Sequence, residues 1–474
     1  MEPDKKLSTD ELDHLSRENL IEIVLKQAAQ IELLQAGMIQ LQQEIEVLRK
    51  KLEHNQKPPT SSKNSSQPPS KDQKGNKPKG RHRHKHGPPM GHEKHERQLV
   101  AQADHIVNIR KEKCSCCHAD LSSETGKLIR INQITEIPEG KAEVIEVRQY
   151  EIICPECQKV QVEKPPEGLE MDRAFGTRLE SVVVYYRQEQ HISYERTQLT
   201  LLHLHGVTIS QGGIDGIMQR AGNKAIIKAK FIEKDIQKSK VIHSDETSSR
   251  VMGDNWWEWV FWSSQSVLHI IRHNRSIDVI RDVMETFIPE VWISDCYGAQ
   301  MKAPAQYHQL CLAHQLRNLQ AVVDGYPTLS WPKTMQFLFR YAIHLHHQRH
   351  LFSPEQFSAQ VARVERHCDR LLQRSLDSPD ARRLKKRYLK YRQNLFVFLY
   401  RTDVEPTNNV AEHSLRPSVI HRKVIGCFRS DWGVKSFAAL ASVIDTAELK
   451  GFNAFEAIQS LFGPPSLPIP SIGE

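Results

Sequence analysis

The chain has 474 residues, a formal net charge of +8, 39% hydrophobic residues and 26% charged ones. A length of this order allows roughly two to four domains and a sizeable core. No stretch approaches the roughly 20 apolar residues of a membrane span and no N-terminal apolar signal region is visible, so a soluble intracellular protein is expected and a membrane protein is not. The positive charge gathers at residues 57–97 and 382–392, which favours a polyanionic partner, although net charge also serves solubility. The nine cysteines comprise two C-x-x-C pairs and scattered thiols, with no disulfide framework, as suits a reducing compartment.

Residues 8–54 open with Ser8-Thr9-Asp10-Glu11, spaced as a capping box. Leu20, Val24, Gln27, Ile31, Leu34, Met38, Leu41, Ile45, Leu48 and Leu52 then follow at alternating spacings of four and three. This narrow seam predicts a self-associating coiled coil, the alternative being a helix docked within the chain. Residues 55–98 lack hydrophobic periodicity and read as a disordered basic linker, including Arg81-His82-Arg83-His84-Lys85-His86. It is either an arm that attracts phosphate or a solvated spacer.

Residues 99–165 hold Cys114-x-x-Cys117 and Cys154-x-x-Cys157, with Val- and Ile-rich alternation from Ile131 to Ile153 that predicts short strands between them. Four thiolates on two knuckles suit a structural Zn²⁺ in a zinc-ribbon-like module; a redox pair is the alternative. Residues 170–235 read as helical. A helix to about His203 is followed by Gly206 and a second, Ser210-capped helix, a helix-turn-helix-like pattern weakened by Gly212, Gly213 and Gly216. The alternative is a plain helical hairpin.

Residues 240–462 predict three strands (240–245, 256–262, 267–272), a helix (276–287), a fourth strand (291–294) and a fifth at 307–311. Trp256, Trp257, Trp259 and Trp262 are read as covering both faces of a central strand, with base stacking as the alternative. A helical block at about 315–400 ends in the basic stretch Arg382–Arg392, which either tracks phosphates or is a solvated face. Residues 463–474 form a C-terminal tail.

Asp245 and Asp295 each terminate an apolar run, and Glu412 falls where a loop opens a helix. Two strand-end aspartates and a helix-borne glutamate can converge on one sheet edge. Converging carboxylates suit two hard cations such as Mg²⁺, which clamp the attacking and leaving oxygens of a phosphoryl transfer. Helical spacing can place Asn408 and Arg416 on the face of Glu412, and Arg416 suits a phosphate. Arg422, Lys423 and Arg429 are further candidate DNA contacts. Cys311-x-x-His314 holds two possible ligands; the more modest reading sets His314 beside the carboxylates, orienting a phosphate or a ligand.

Asp245-Glu246-Thr247, Asn255 to Phe261, Ser294 to Ala299, Cys311-Leu312-Ala313-His314, Pro406-Thr407-Asn408-Asn409, Ala411-Glu412, Leu415-Arg416-Pro417 and Arg422-Lys423 together resemble the insertion-sequence-66 family of bacterial DDE transposases. The resemblance runs from the N-terminal coiled coil to about residue 462. One departure is His413, where the family usually has arginine after Ala-Glu.

The resemblance implies a multidomain α+β protein with a ribonuclease-H-like catalytic domain. It implies metal-dependent cleavage at the ends of a mobile element and strand transfer into target DNA, with Asp245, Asp295 and Glu412 as catalytic ligands of two Mg²⁺ or Mn²⁺. It also implies self-association, accessory transposition proteins and a bacterial cytoplasmic, nucleoid-associated location. A catalytically inactive DNA-binding regulator and a junction-resolving nuclease are the competing readings.

Overall fold

The computed structural model describes residues 16–56, 63 and 99–463, apart from 126, 138, 139, 141, 166, 167 and 172; of residues 47–56 only the backbone is described. The predicted capping box at Ser8, the linker over 57–98 except 63, and the tail over 464–474 lie outside the described residues. Helix α1 spans Arg17–Gln56. The short strands β1 (Glu151–Ile153) and β2 (Val160–Val162) are followed by helices α2 (Thr177–Val184), α3 (Tyr194–His205) and α4 (Gln211–Ile236). Strands β3 (Val241–Val251), β4 (Asp254–Trp262) and β5 (Val267–Arg272) precede helix α5 (Ile277–Met284). Strands β6 (Val291–Ser294) and β7 (Tyr307–Leu310) lead into α6 (Leu312–Gly325), α7 (Ser330–His347), α8 (Pro354–Gln373), α9 (Pro379–Lys390) and α10 (Val397–Tyr400). Helices α11 (Asn409–Ile425), α12 (Asp431–Leu449) and α13 (Ala454–Gln459) complete the order.

The described residues fall into two compact units, one within 1–73, 166–193 and 215–474 and the other within 74–165 and 194–214. In the smaller unit each C-x-x-C forms the same knuckle. Backbone N–H groups of His118 and Gln158 donate to Cys114 O (3.1 Å) and Cys154 O (2.9 Å). Both residues take a positive φ, 58° and 56°. β1 and β2 pair antiparallel across the second knuckle. Of the alternation expected to form strands from Ile131 to Ile153, only Glu151–Ile153 does so among the described residues. Apolar side chains there, such as Ile134 at 84% and Val144 at 96% exposure, are not buried among the described residues, so little burial offsets the cost of ordering.

Helix α3 stops at Gly206 (φ 66°), whose N–H donates to Leu202 O, a left-handed cap that glycine adopts at least cost. Ser210 Oγ then accepts from Gly213 N–H at 3.0 Å and caps the next helix. The expected weakness of that helix is not observed. Gly212, Gly213 and Gly216 lie in the first turns of a helix that runs unbroken to Ile236.

The larger unit is built on a five-stranded sheet of order β5-β4-β3-β6-β7. β3–β4 and β4–β5 are antiparallel, while β3–β6 and β6–β7 are parallel. Val291, Ile293 and Leu310 on β6 and β7 bury against α6 through α10, in a core that includes Trp331, Phe339, Tyr388 and Phe396. On the other half, Val260, Val267, Ala411 and Leu415 join α11 to the sheet. α12 closes the β5 edge with hydroxyls. Thr446 Oγ1 accepts from Val267 N–H (3.0 Å) and donates to Val267 O (3.1 Å), and Ser442 Oγ accepts from His269 N–H (2.8 Å). An open edge that would template aggregation is thereby covered.

Candidate functional site

Asp245 is not at a strand end, as the sequence suggested. β3 continues to Val251, and Asp245 pairs with Val260 of β4. The parallel pairing with β6, however, stops at His243↔Ile293. Asp245 and Asp295 therefore each stand two residues beyond the last β3–β6 pair, on the same face, where the two strands part. Each carboxylate is oriented by a backbone amide: Glu246 N–H donates to Asp245 Oδ1 (2.9 Å) and Tyr297 N–H to Asp295 Oδ1 (2.8 Å).

Glu412 lies in the first turn of α11, whose start is fastened by the fully buried Asn408. Asn408 Nδ2 donates to Ser244 O (2.8 Å), and its backbone N–H donates to Cys311 Sγ (3.2 Å). Its Oδ1 lies 3.2 Å from His243 Nδ1. Because the amide nitrogen already faces a carbonyl, Oδ1 accepts and His243 Nδ1 carries the proton. Burial pulls His243 down to about 4, so this ring is neutral.

Asp245 is pushed well above the usual aspartate range, first by burial and then by the charges of Glu246, Asp295 and Glu412. The three expected acids thus share one electrostatic field, although their oxygens are not gathered within 4.8 Å of one another. Half-buried carboxylates from three elements, close enough that Asp295 and Glu412 both act on Asp245, form a donor set that fits divalent cations.

His314 and Arg317, one turn apart on α6, converge on Glu412. His314 Nδ1 is 3.4 Å and Arg317 Nη2 3.1 Å from Glu412 Oε1. Burial is the main influence on His314 and lowers it, so it too is held neutral. Cys311 caps α6, is fully buried, and its thiol is pushed up to about 12 by that burial.

Glu246, Arg275, Gln300 and Arg317 are not singled out as site residues by the sequence. Glu246, alternating to the opposite face from Asp245, accepts from Arg275 Nε (2.9 Å) and Gln300 Nε2 (2.7 Å). The Arg275 guanidinium stacks between Trp257 (4.4 Å) and Tyr297 (3.9 Å). Only the i, i+3 spacing of His314 and Arg317 could have signalled the latter.

Arg416, Lys423 and Arg429 are exposed. Arg422 is half-buried and Nη1 donates to Ser248 Oγ (3.2 Å). Arg416 does not share the buried face of Asn408, because helical drift over eight residues turns it outward. Among Cys114, Cys117, Cys154 and Cys157, no three thiols lie within 4.8 Å of one another. Cys114 and Cys154 are each lowered first by the N–H of the second cysteine of their pair, Cys117 and Cys157.

A family model described as "Transposase IS66 family" matches residues 173–436, more than half of the chain. The chain belongs to the IS66 transposase family. The matched span of this IS66 transposase holds Asp245, Asp295, His314, Glu412 and the four candidate DNA-contacting cations, whereas α1 and the cysteine knuckles lie outside it. A comparison with curated proteins finds no match. No helix among the described residues is long and apolar enough to cross a membrane.

Proposed function

We propose that this IS66 transposase is a DDE-type enzyme that cuts the ends of a mobile element and joins them to target DNA. The observation that carries the reading is the placement of three carboxylates from different elements: half-buried Asp245 and Asp295 each stand two residues beyond the last β3–β6 pair, and Glu412 lies in the first turn of α11, near enough that both Asp295 and Glu412 add to the upward shift of Asp245 after burial and Glu246. The strand order β5-β4-β3-β6-β7, with three antiparallel strands followed by two parallel ones, supports a ribonuclease-H-like catalytic domain.

Asp245, Asp295 and Glu412 would hold two Mg²⁺ (or Mn²⁺), which when bound supply charge neutralisation and activation of the attacking oxygen. Around them, the Glu246 and Tyr297 amides fix the rotamers of the two aspartates. Asn408 sets the entry of α11 and so the position of Glu412. Neutral His314 supplies an uncharged imidazole for a phosphate oxygen, and Arg416, Arg422, Lys423 and Arg429 contact the DNA backbone. Hydrolysis breaks the P–O3′ bond at the element end and leaves a 3′-hydroxyl. That hydroxyl then attacks a target phosphodiester, one P–O bond forming as another breaks. No protein nucleophile is required.

Cys114, Cys117, Cys154 and Cys157 are proposed to hold a structural Zn²⁺. The matching knuckles, with amides aimed at the first thiol of each pair, support this. α1 is proposed to pair with a second copy of the chain. Accessory transposition proteins are further proposed partners.

The test is Mg²⁺-dependent cleavage and strand transfer on DNA bearing the element's own ends. Asp245→Ala, Asp295→Ala and Glu412→Ala should each lower the rate by at least about 10³-fold, or roughly 4 kcal/mol of barrier, while end binding persists. Mg²⁺ should raise the melting temperature of the wild type and not of Asp245→Ala. A wild type that binds ends and never cuts, accessory proteins included, would make it a regulator instead.

A further inference from the structure

We propose that Cys311, His314 and Glu412 form a second cation site, for a soft divalent ion such as Zn²⁺, whose occupation withdraws Glu412 from the carboxylate trio. The withdrawal rests on the catalytic reading of Glu412; the site itself does not.

The Cys311 thiol, a His314 ring nitrogen and a Glu412 oxygen all lie within 4.8 Å of one another. Around one Zn²⁺, bonds of roughly 2.0–2.3 Å set ligand atoms about 3–4 Å apart, so a small side-chain closure completes the set. Cys311 is the cap and His314 the first turn of α6, so one helix start presents both. The third ligand arrives on α11, whose own start is tied to the same thiol by the Asn408 N–H at 3.2 Å. Buried His314 Nδ1 has no hydrogen-bond partner among the described residues. Its 3.4 Å approach to Glu412 lacks hydrogen-bond geometry, so a buried donor atom is left over.

The chemistry separates two classes of ion. Sulfur, imidazole and one carboxylate suit Zn²⁺ with three protein ligands and an open fourth position; Mg²⁺ takes oxygen ligands and leaves thiolates to softer metals. Arg317, 3.1 Å from the same carboxylate, already places positive charge there, and a bound ion would displace it or take the other oxygen. Binding would release the Cys311 proton to solvent. A chain holding Zn²⁺ there would keep its fold while its third carboxylate is occupied elsewhere.

The test uses the full-length chain and Zn²⁺ as the probe. Bound Zn²⁺ per chain is counted by equilibrium dialysis and elemental analysis for wild type, Cys311→Ser and His314→Ala. The four knuckle cysteines are intact in all three and cancel. The wild type should hold one more ion than either variant. Co²⁺ loading should give a thiolate charge-transfer absorption per chain that is larger in the wild type than in Cys311→Ser, the knuckle thiolates contributing equally to both. Equal counts in the three proteins overturn the site. If Cys311→Ser, altered at a buried position, does not fold by circular dichroism, His314→Ala decides the count alone.

Mn²⁺ bound in the absence of Zn²⁺, followed by electron paramagnetic resonance, should be displaced by Zn²⁺ in the wild type and retained in the variants. Displacement supports the withdrawal of Glu412; an extra Zn²⁺ that leaves Mn²⁺ in place overturns it. A wild type that never binds Mn²⁺ sinks the carboxylate reading of the proposed function, while the zinc count still decides the site.

Discussion

At the scale of single residues, His269 shows how α11 is held. Both of its ring nitrogens face carboxylates: Nδ1 is 3.1 Å from Glu258 Oε1 and Nε2 is 3.0 Å from Asp445 Oδ2. Two acceptors require two N–H groups, so the ring is an imidazolium. Burial alone would depress it, but hydrogen bonds and charge from Asp445 and Glu258 overcome burial and lift it to about 10. Glu258 also accepts from Ser418 Oγ (2.6 Å), so the network fastens α11, and Glu412 with it, to the sheet. A raised folded pKa contributes stability that is fully present below the unfolded value, about 6.5, and is lost as pH rises through about 10. Denaturant unfolding of the wild type should therefore show stability falling between about pH 7 and 10. His269→Gln should flatten that slope and cost about 3–5 kcal/mol at neutral pH, because Glu258 is left buried and unpaired. An unchanged slope would mean that His269 does not hold the second proton.

At the scale of elements, α4 and α12 approach closely at Gly222. A Cβ added at Gly222 would lie 2.0 Å from Ser436 Oγ, 2.6 Å from its Cβ and 3.3 Å from its Cα. The hydroxyl could rotate away, but Cβ and Cα cannot. Gly222→Ala should thus destabilise by about 1–3 kcal/mol by overpacking, despite the helix propensity gained. Adding Ser436→Gly should recover part of that loss, a coupling measured by a double-mutant cycle. Additive costs would show that the helices do not meet there.

Such an approach is invisible in sequence, where glycines in a helical stretch read only as weakness. Periodicity is local, and it located β5 and β6 at their observed ends. The reach of β3 past Asp245 was not legible, because it depends on pairing with β4. Glu246 and Arg275 meet across 29 positions, and nothing local marks that pairing. Asp245, Asp295 and Glu412 stand out in the sequence because each sits where an apolar run or a loop meets a carboxylate.

At the scale of the whole molecule, α1 poses the remaining question of assembly. Its 40 residues extend about 60 Å at 1.5 Å per residue, and much of its predicted seam is exposed among the described side chains. Val24, Ile31, Leu34, Met38 and Leu41 are all more than half exposed, Leu34 at 63%. A long helix gains most of its stability from packing an apolar face, so one with an open seam calls for a partner. The heptad spacing commits that partner to another helix of the same spacing, which a second copy of this chain supplies by symmetry. Joining two element ends also needs two active sites held together. Leu34→Glu with Leu41→Glu places charge at two seam positions without touching the sheet. Light scattering coupled to gel filtration should show the wild type as a multimer and this variant as a single chain. The variant should still bind one DNA end but fail to join paired ends. A wild type of single-chain mass, or a variant of unchanged mass, would remove α1 from the assembly and leave synapsis to other surfaces.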